Sequence, residues 1–140
     1  MYRGEVLSHN NRPDGKGFKV FNGSSLYEGF FVDGKCHGYG RGISSKGEVY
    51  QGGFYEDMKE GNGFYIWNDG RIYEGEWQAN KKNGYGTYFW PNGKIYQGDF
   101  KNDECSGHGC LYYPDGKRFQ GIWREGKKHG KGTYIFPNDS

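Results

Sequence analysis

The residues best suited to metal chemistry in this chain are two cysteines and a histidine that lie close together. Cys105, His108 and Cys110 fall within six residues, and thiolate and imidazole are ligands that zinc prefers. A structural zinc site needs four ligands, however, and the further candidates, Cys36 and His37, lie far earlier in the chain. The three cysteines have no disulfide-framework spacing. We therefore expect reduced thiols, typical of an intracellular protein, and no metal site.

Two further patterns could suggest catalysis but lack the partners that catalysis needs. His37 and His129 occupy similar sequence contexts, yet no acid or nucleophile recurs at a fixed distance from them. The acids Glu28, Glu74 and Asp99 recur at equivalent places and are expected to face water, whereas acid–base catalysis needs a concave, partly desolvated site. The chain is therefore predicted to be no enzyme and to bind no cofactor.

The composition limits the fold and the partners. Glycine accounts for 27 of 140 residues and aromatic residues for 19%, including 13 tyrosines, while the mean hydropathy is −1.05. Leu, Ile and Val are too scarce to fill a layered core, so the buried area must come from aromatic rings. The net charge of +2 is dispersed, without the clustered basic face of a nucleic-acid-binding protein. No apolar run is long enough to cross a bilayer.

A 23-residue repeat sets the elements that position all of these residues. A Gly-x-Gly step recurs six times at this constant spacing, at residues 15/17, 38/40, 61/63, 84/86, 107/109 and 130/132. An aromatic-x-Gly-x-aromatic step begins at Tyr27, Tyr50, Tyr73, Tyr96 and Phe119, with a degenerate copy at Tyr2. Such a period marks an array in which each unit contacts only its neighbours. The residues predicted to serve as structural repeat glycines are Gly38, Gly40, Gly61, Gly63, Gly84, Gly86, Gly107 and Gly109.

Turn residues separate the two steps of each repeat. They read Asn68-Asp69-Gly70, Pro91-Asn92-Gly93 and Pro114-Asp115-Gly116, which favours three-residue hairpin loops closed by a bulge. The repeat then reads as a strand over residues 86–90, a turn, and a strand over 94–100, with Tyr88 opposite Tyr96. A two-residue loop would shift this register by one residue and exchange the pairs. No stretch shows helical periodicity.

Strand parity divides the side chains between two faces. The face that we call the ring face is predicted to carry Tyr65, Trp67, Tyr73, Trp77, Tyr88, Trp90, Tyr96, Phe100, Leu111, Tyr113, Phe119 and Trp123. Glycines on this face leave hollows in which the ring of a neighbouring hairpin can lie flat. The opposite, mixed face is predicted to carry an apolar stripe of Ile66, Ile72, Phe89, Ile95, Tyr112 and Ile135. That stripe reads equally well as an interaction surface or as side chains chosen for β-propensity.

These residues resemble a known repeat. Tyr73-Glu74-Gly75-Glu76-Trp77, then Asn83-Gly84-Tyr85-Gly86-Thr87-Tyr88 and Pro91-Asn92-Gly93, are similar to the MORN (membrane occupation and recognition nexus) repeat. The resemblance covers residues 1–140 as a single array of about six repeats. In the first repeat Val6 replaces the second aromatic residue, the Ser8–Pro13 loop is longer, and Gly23 falls one place early. The last repeat is cut at Asp139, where the turn glycine is expected.

The resemblance implies a fold and a use. The implied fold is all-β: an elongated, single-layer antiparallel meander of tandem hairpins, twisted and curled into an open groove. At ~4.8 Å per strand, twelve strands would extend roughly 55–60 Å. The implied use is a non-catalytic scaffold that docks a protein or peptide and helps to assemble or anchor a cytoskeletal, ciliary or membrane-associated complex in the cytoplasm. The residues predicted to contact the partner are Tyr65, Trp67, Trp77, Tyr88, Trp90 and Tyr96, since Trp and Tyr concentrate binding energy near an interface centre.

Two alternative uses stay open. The lysines Lys81, Lys82, Lys127 and Lys128, read as loop residues, could support weak contact with acidic lipids or phosphoinositides, at about 1 kcal/mol each. The chain could also be the regulatory arm of an enzyme whose catalytic domain lies elsewhere. A nucleic-acid partner is not expected, because the rings are committed to the repeat. The unpaired strand edges near Tyr2 and Phe136 predict end-to-end association or docking.

Overall fold

The computed structural model describes residues 2–6 and 13–137, and these form one antiparallel sheet. Its twelve strands follow one another in chain order, so β1 and β12 form the two edges of an open sheet. The strands are β1 Tyr2–Val6, β2 Pro13–Val20, β3 Leu26–Val32, β4 Lys35–Ile43, β5 Val49–Tyr55, β6 Met58–Ile66, β7 Ile72–Gln78, β8 Lys81–Phe89, β9 Ile95–Lys101, β10 Glu104–Tyr112, β11 Arg118–Arg124 and β12 Lys127–Ile135. The predicted single-layer meander of hairpins is confirmed. The described residues contain one helical element, a 3₁₀ turn at Asn22–Ser24. Asp139 and residues 8–12 lie outside the described residues.

Three-residue turns join the strands at one end of the sheet, and we call them the long turns. The amide of Trp90 donates to the carbonyl of Lys94 at 2.9 Å, and Tyr88 pairs with Tyr96. The predicted loop length and register are therefore confirmed. Gly93 adopts a φ of 94° that other residues rarely take. A Cβ at Gly93 would lie 3.2 Å from Cγ of Pro114, so successive long turns lie side by side.

Two-residue turns join the strands at the opposite end, and the sequence analysis did not identify them. These short turns are Asp33-Gly34, Glu56-Asp57, Ala79-Asn80, Asn102-Asp103 and Glu125-Gly126, and every residue in them has positive φ. The strands are accordingly longer than predicted, since β8 begins at Lys81 rather than Gly86. The second turn residue also hydrogen-bonds to the preceding repeat. Asp103 donates its amide to the carbonyl of Lys82 at 2.9 Å and accepts the Lys82 amide on Oδ1 at 2.8 Å.

The two glycines of each Gly-x-Gly step have different roles. The first lies in a bulge: between the pairs Trp77–Lys82 and Gly75–Gly86, three residues of β8 oppose the single residue Glu76 of β7, and Gly84 has a φ of 103°. The second belongs to a row of glycines that pair from strand to strand, which we call the glycine row. Its members include Gly17, Gly29, Gly40, Gly52, Gly63, Gly75, Gly86, Gly98, Gly109 and Gly121.

Tyrosine rings lie flat over the glycine row and form the core. A Cβ on Gly86 would meet the Tyr73 ring, 2.5 Å from its Cζ, so only glycine leaves room for this ring. The Tyr73 hydroxyl donates to the carbonyl of Glu76 at 2.8 Å, and the ring packs edge-to-face on Trp77 and Phe100. This confirms the predicted packing of rings over glycines. The buried hydrophobic residues are Tyr27, Phe31, Cys36, Tyr50, Tyr73, Trp77, Tyr88, Tyr96, Phe100, Phe119 and Trp123.

Candidate functional site

The ring face carries a row of aromatic side chains beside the long turns, which we call the aromatic ladder. Its members are Tyr65, Trp67, Tyr88, Trp90, Tyr113 and Tyr134. Ring centroids lie 4.6 Å apart between Tyr65 and Trp67, 5.5 Å between Trp67 and Tyr88, and 4.6 Å between Tyr88 and Trp90. Trp67 and Trp90 stay half-exposed, because no second layer of the described chain covers this face.

Lysine side chains lie over the rings at the inner side of the ladder. The Lys59 ammonium is 5.5 Å from the centroids of both Tyr65 and Trp77. One repeat later the Lys82 ammonium is 5.3 Å from Trp67. Burial lowers the pKa of both lysines, which are held among ring faces that attract cations. This role was not predicted from the sequence, although the 23-residue spacing between the two lysines indicates it.

Basic side chains from the long turns flank the outer side of the ladder. The Arg71 guanidinium lies 4.9 Å over the Trp67 ring and donates to the Tyr88 hydroxyl at 2.9 Å. Lys117 lies 4.8 Å over Tyr113. Two rows of cations therefore border the exposed rings, so the surface offers both apolar area and positive charge to a partner.

The residues predicted to contact a partner all lie on the ring face, but their exposure differs. Three are buried in the core: Trp77, Tyr88 and Tyr96, at 5%, 8% and 1% exposure. Three are half-buried in the ladder: Tyr65, Trp67 and Trp90. A buried ring has little surface to offer unless the sheet opens, so the first three stabilise the repeat in this structure. Contact with a partner stays a prediction, and the second three are the ones placed for it.

The apolar stripe on the mixed face is continuous from Ile66 to Tyr112, and Arg118 separates Tyr112 from Ile135. Ile66 pairs with Ile72, Ile72 with Phe89, Phe89 with Ile95, and Ile95 with Tyr112. The stripe thus crosses five strands, β6 to β10. Nearer the glycine row, the same face exposes 57% of Tyr39 and 53% of Tyr85. These pairs fit an interaction surface, and they fit side chains chosen for β-propensity equally well, because cross-strand apolar pairs stabilise a sheet.

The structure separates the candidate zinc ligands. Cys105 packs against the ring core, whereas Cys110 lies between Gly109 and Leu111, which face that core, and so points to the mixed face. The two thiols therefore lie on opposite faces and cannot bind one ion together. No group of three or more His, Cys, Asp or Glu side chains suited to a metal occurs within residues 2–6 and 13–137.

Two of the side chains singled out by the sequence, His37 and Asp99, have structural partners. His37 packs on Tyr55, with ring centroids 5.1 Å apart. Asp99 accepts the backbone amide of His108 at 3.2 Å, and one repeat earlier Glu76 accepts the amide of Tyr85 at 2.6 Å. These acids hold the bulge of the Gly-x-Gly step. Glu28 and Glu74 are exposed, as predicted.

The four lysines expected in loops lie in strands. Lys81 and Lys82 begin β8, and Lys127 and Lys128 begin β12. Of each pair, the second ammonium lies on the ring face: that of Lys128 donates to the hydroxyls of Tyr113 and Tyr134 at 2.8 and 3.0 Å. Only Lys81 and Lys127 project away from the rings, so half of the positive charge expected for lipids is used within the ring face. No helix among the described residues is long and apolar enough to span a membrane.

Of the comparisons with known proteins, the match to a family of repeats agrees with the repeat architecture. No curated protein sequence matches the chain. Among solved structures, one similar chain is the TCP domain of SAS-4 (dCPAP) of Drosophila melanogaster, solved in complex with a proline-rich motif of Ana2 (dSTIL). The alignment covers 86% of this chain and 78% of the SAS-4 chain, at 13% identity and a TM-score of 0.34. The MORN repeat matches five tandem segments, residues 27–47, 50–70, 73–95, 96–118 and 119–140. MORN repeats are non-enzymatic and generally serve as interaction modules. Since the matched segments cover most of the chain and begin where the hairpin repeats begin, the chain belongs to the MORN-repeat family.

Proposed function

We propose that the chain is a non-catalytic scaffold that docks a protein or peptide partner on its ring face. The observation that carries this proposal is the aromatic ladder. Trp67 and Trp90 are large, half-buried rings that keep part of their surface accessible, on a sheet whose strands are hydrogen-bonded on both sides. Trp and Tyr anchors of this kind supply much of the energy of protein interfaces. Because the ladder is already ordered, little side-chain entropy is lost on binding.

The charges beside the ladder suggest the character of the partner. Arg71 and Lys117 pair with carboxylates of their own turns, and Lys82 pairs with Asp103 in the short turn of the next repeat. Lys59 and Lys94 make no ion pair in the part of the chain that the structure describes. We therefore propose that the docked segment presents apolar side chains to the ladder and carboxylates to these lysines. Such complementarity favours specificity and the rate of association.

A capture experiment tests the ring face against the mixed face. The double variant Trp67→Ala, Trp90→Ala removes the two half-buried tryptophans of the ladder, and Tyr39→Ala, Tyr85→Ala removes exposed rings from the other face. Both variants must first melt cooperatively by circular dichroism. We expect the first to lose partners of the native chain by about 30-fold or more in affinity, and the second to retain them. A folded ladder variant that keeps every partner would refute docking on the ring face.

Membrane contact is the competing proposal, and a lipid assay separates it. Lys81 and Lys127 are exposed at the short-turn end of the sheet. Two such residues contribute about 2 kcal/mol at an anionic surface, which gives weak anchoring. Flotation with vesicles containing acidic lipids should show little binding. Strong, salt-sensitive flotation that is lost in Lys81→Gln, Lys127→Gln would favour the membrane.

The open edges suggest how the scaffold joins a larger assembly. β1 and β12 each have one neighbour in the described sheet, and unpaired strand edges tend to pair with other strands. We propose end-to-end association or docking there, within a cytoskeletal, ciliary or membrane-associated complex in the cytoplasm, as the family suggests. Sedimentation velocity over a wide concentration range should reveal self-association. A strictly monomeric species would exclude it, and imaging of a tagged chain in cells tests the location.

A further inference from the structure

The aromatic ladder is interrupted on the side of the first repeats. Two ring-face positions of each later repeat carry large side chains. They are Tyr65 and Trp67, Tyr88 and Trp90, Leu111 and Tyr113, and Tyr134 and Phe136. Twenty-three residues before Tyr65 and Trp67, the chain has Gly42 and Ser44. Both lie on the same side of the sheet as the ladder, because Gly42 pairs with Tyr50, which is itself a ring of the core.

The missing side chains leave a cavity of about 340 Å³. Phe21 stands on one side of it and Tyr65 on the other, and Tyr27, Tyr50 and Phe54 contribute to its lining. Phe21 occupies the position of Trp67 two repeats earlier. The cavity is therefore the space that large side chains at positions 42 and 44 would fill, between Phe21 and Tyr65, and aromatic rings form much of its wall.

The charge beside the cavity is reversed relative to the other repeats. The position that holds Arg71, Lys94 and Lys117 in later repeats holds Glu48 here. Its Oε1 accepts the Tyr65 hydroxyl at 2.9 Å, just as Arg71 bonds the Tyr88 hydroxyl one repeat later. Glu48 makes no ion pair among residues 2–6 and 13–137. A carboxylate without an ion pair thus stands at the rim of a cavity lined mainly by rings, to which Asp57 and Lys59 also contribute.

The inner cation is also absent from this repeat. Cys36 occupies the position of Lys59 and Lys82 and lines the cavity. In the next repeat, Lys59 fills the space between Tyr50, Tyr65 and Trp77. The equivalent space beside Tyr27 and Phe54 holds only the smaller thiol. The large side chains of the later repeats are missing here, and so is the inner cation, which the repeat of Cys105 also lacks.

We infer that this cavity is the subsite for an aromatic residue of a docked peptide, with a basic residue beside it. The inference deepens the proposed docking function and rests on it. The aromatic ring fills the missing rung between Phe21 and Tyr65, and the neighbouring cation pairs with Glu48. Since the rest of the ladder is bordered by lysines and arginine, this single reversal of charge fixes which end of the peptide lies over the first repeats.

Position 42 offers a matched pair of variants. A Cβ at Gly42 would have no neighbour nearer than 3.9 Å, and the backbone there does not require positive φ. Gly42→Ala therefore leaves the cavity open, whereas Gly42→Tyr restores the residue found at Tyr65 and Tyr88 and fills it. We expect Gly42→Tyr to melt at or above the temperature of Gly42→Ala, since the added ring is buried among rings.

Nuclear magnetic resonance with defined dipeptides tests the subsite. The probes are acetyl-Trp-Arg-amide and acetyl-Trp-Glu-amide, titrated into the ¹⁵N-labelled chain. We expect saturable shifts at Gly42, Ser44 and Glu48, with the arginine probe binding about two- to fivefold more tightly, as one exposed ion pair allows. Glu48→Gln should remove this preference. Gly42→Tyr should abolish the shifts, and Gly42→Ala should keep them.

The results distinguish the subsite from the docking function. Absent shifts at these amides, equal affinity for both probes, or unchanged binding in Gly42→Tyr would overturn the subsite. In that event, loss of partners in Trp67→Ala, Trp90→Ala would still support docking on the ladder. Conversely, the dipeptides could bind at the cavity while Trp67→Ala, Trp90→Ala captures partners as well as the native chain does. That result would support the subsite and refute the proposed docking on the ladder.

Discussion

An alanine at position 86 would place its methyl group inside the ring of Tyr73. The Cβ would lie 2.5 Å from both Cε1 and Cζ of that ring, a distance that no relaxation of the methyl group can relieve. The ring must move instead, and it is fully buried, at 0% exposure. Its hydroxyl would leave the carbonyl of Glu76, 2.8 Å away. Its edge-to-face contacts with Trp77 and Phe100, at 5.2 and 5.0 Å, would also be disturbed.

These losses set the expected magnitude. Overpacking a core costs about 1–3 kcal/mol, a broken buried hydrogen bond about 1 kcal/mol, and a disturbed aromatic pair about 1 kcal/mol. We therefore expect Gly86→Ala to lose about 3–5 kcal/mol of unfolding free energy. For a chain of this length the melting temperature should fall by about 10–15 °C.

Thermal unfolding followed by circular dichroism measures this effect against a matched glycine. Gly42→Ala adds the same methyl group in a strand, but its nearest neighbours would be 3.9 Å away, so its melting temperature should stay within about 2 °C of the native value. In a Tyr73→Ala background the penalty of Gly86→Ala should largely vanish, because the ring it meets is gone. Equal melting of the two glycine variants, or an undiminished penalty in that background, would refute the reasoning.

Three further predictions follow from the ring core, the short turns and the thiols. Tyr73→Phe should cost about 1 kcal/mol at neutral pH. It should also reduce the loss of stability in alkali. Burial raises the pKa of Tyr73 above its usual 10.0, so Tyr73 ionises first in the unfolded chain, and the native chain loses stability as the pH rises beyond that value. Chemical denaturation at pH 8 and at pH 11 measures this loss in the native chain and in Tyr73→Phe. Asp103→Ala should cost about 1–2 kcal/mol in urea unfolding, because the Lys82 amide loses its acceptor. Asp103→Asn keeps an acceptor oxygen and loses only the ion pair with Lys82, so it should cost less, about 0–1 kcal/mol. Burial raises the pKa of Cys36 to about 12 and that of Cys105 to about 11, so both should react slowly with a thiol reagent at pH 8 until the chain is unfolded; rapid labelling of the folded chain would contradict this.

The two kinds of turn show how far local sequence reaches. Pro91-Asn92-Gly93 specifies its own loop, since each residue suits the dihedral angles of its position, and the register of β8 and β9 follows. Ala79-Asn80 adopts positive φ at both residues without a glycine. This turn is held from a distance: Asn80 exchanges hydrogen bonds with Lys59 at 3.1 and 2.9 Å. Because these hydrogen bonds join residues 21 positions apart, the residues of the turn alone do not predict it.

The candidate site shows the same limit. Parity places Trp67 and Trp77 on one face, and the structure agrees, but parity says nothing of how deeply each is covered. Trp77 is buried because Tyr50 and Tyr73, from different strands, both pack on it. Trp67 lies beyond the end of β6 and stays half-exposed. Exposure depends on neighbours supplied by other strands, so the sequence predicted the surface and not its accessible residues.

The sequence by itself determined the repeat, the long turns, the register and the face of each ring. These follow from a constant spacing, from dihedral preferences and from the alternation of side chains along a strand. The tertiary structure decided which rings are reachable, which lysines are held among rings, and that Gly42 and Ser44 open a cavity. Those properties depend on how side chains from three or more strands pack together, and the spacing of residues along the chain does not determine that packing.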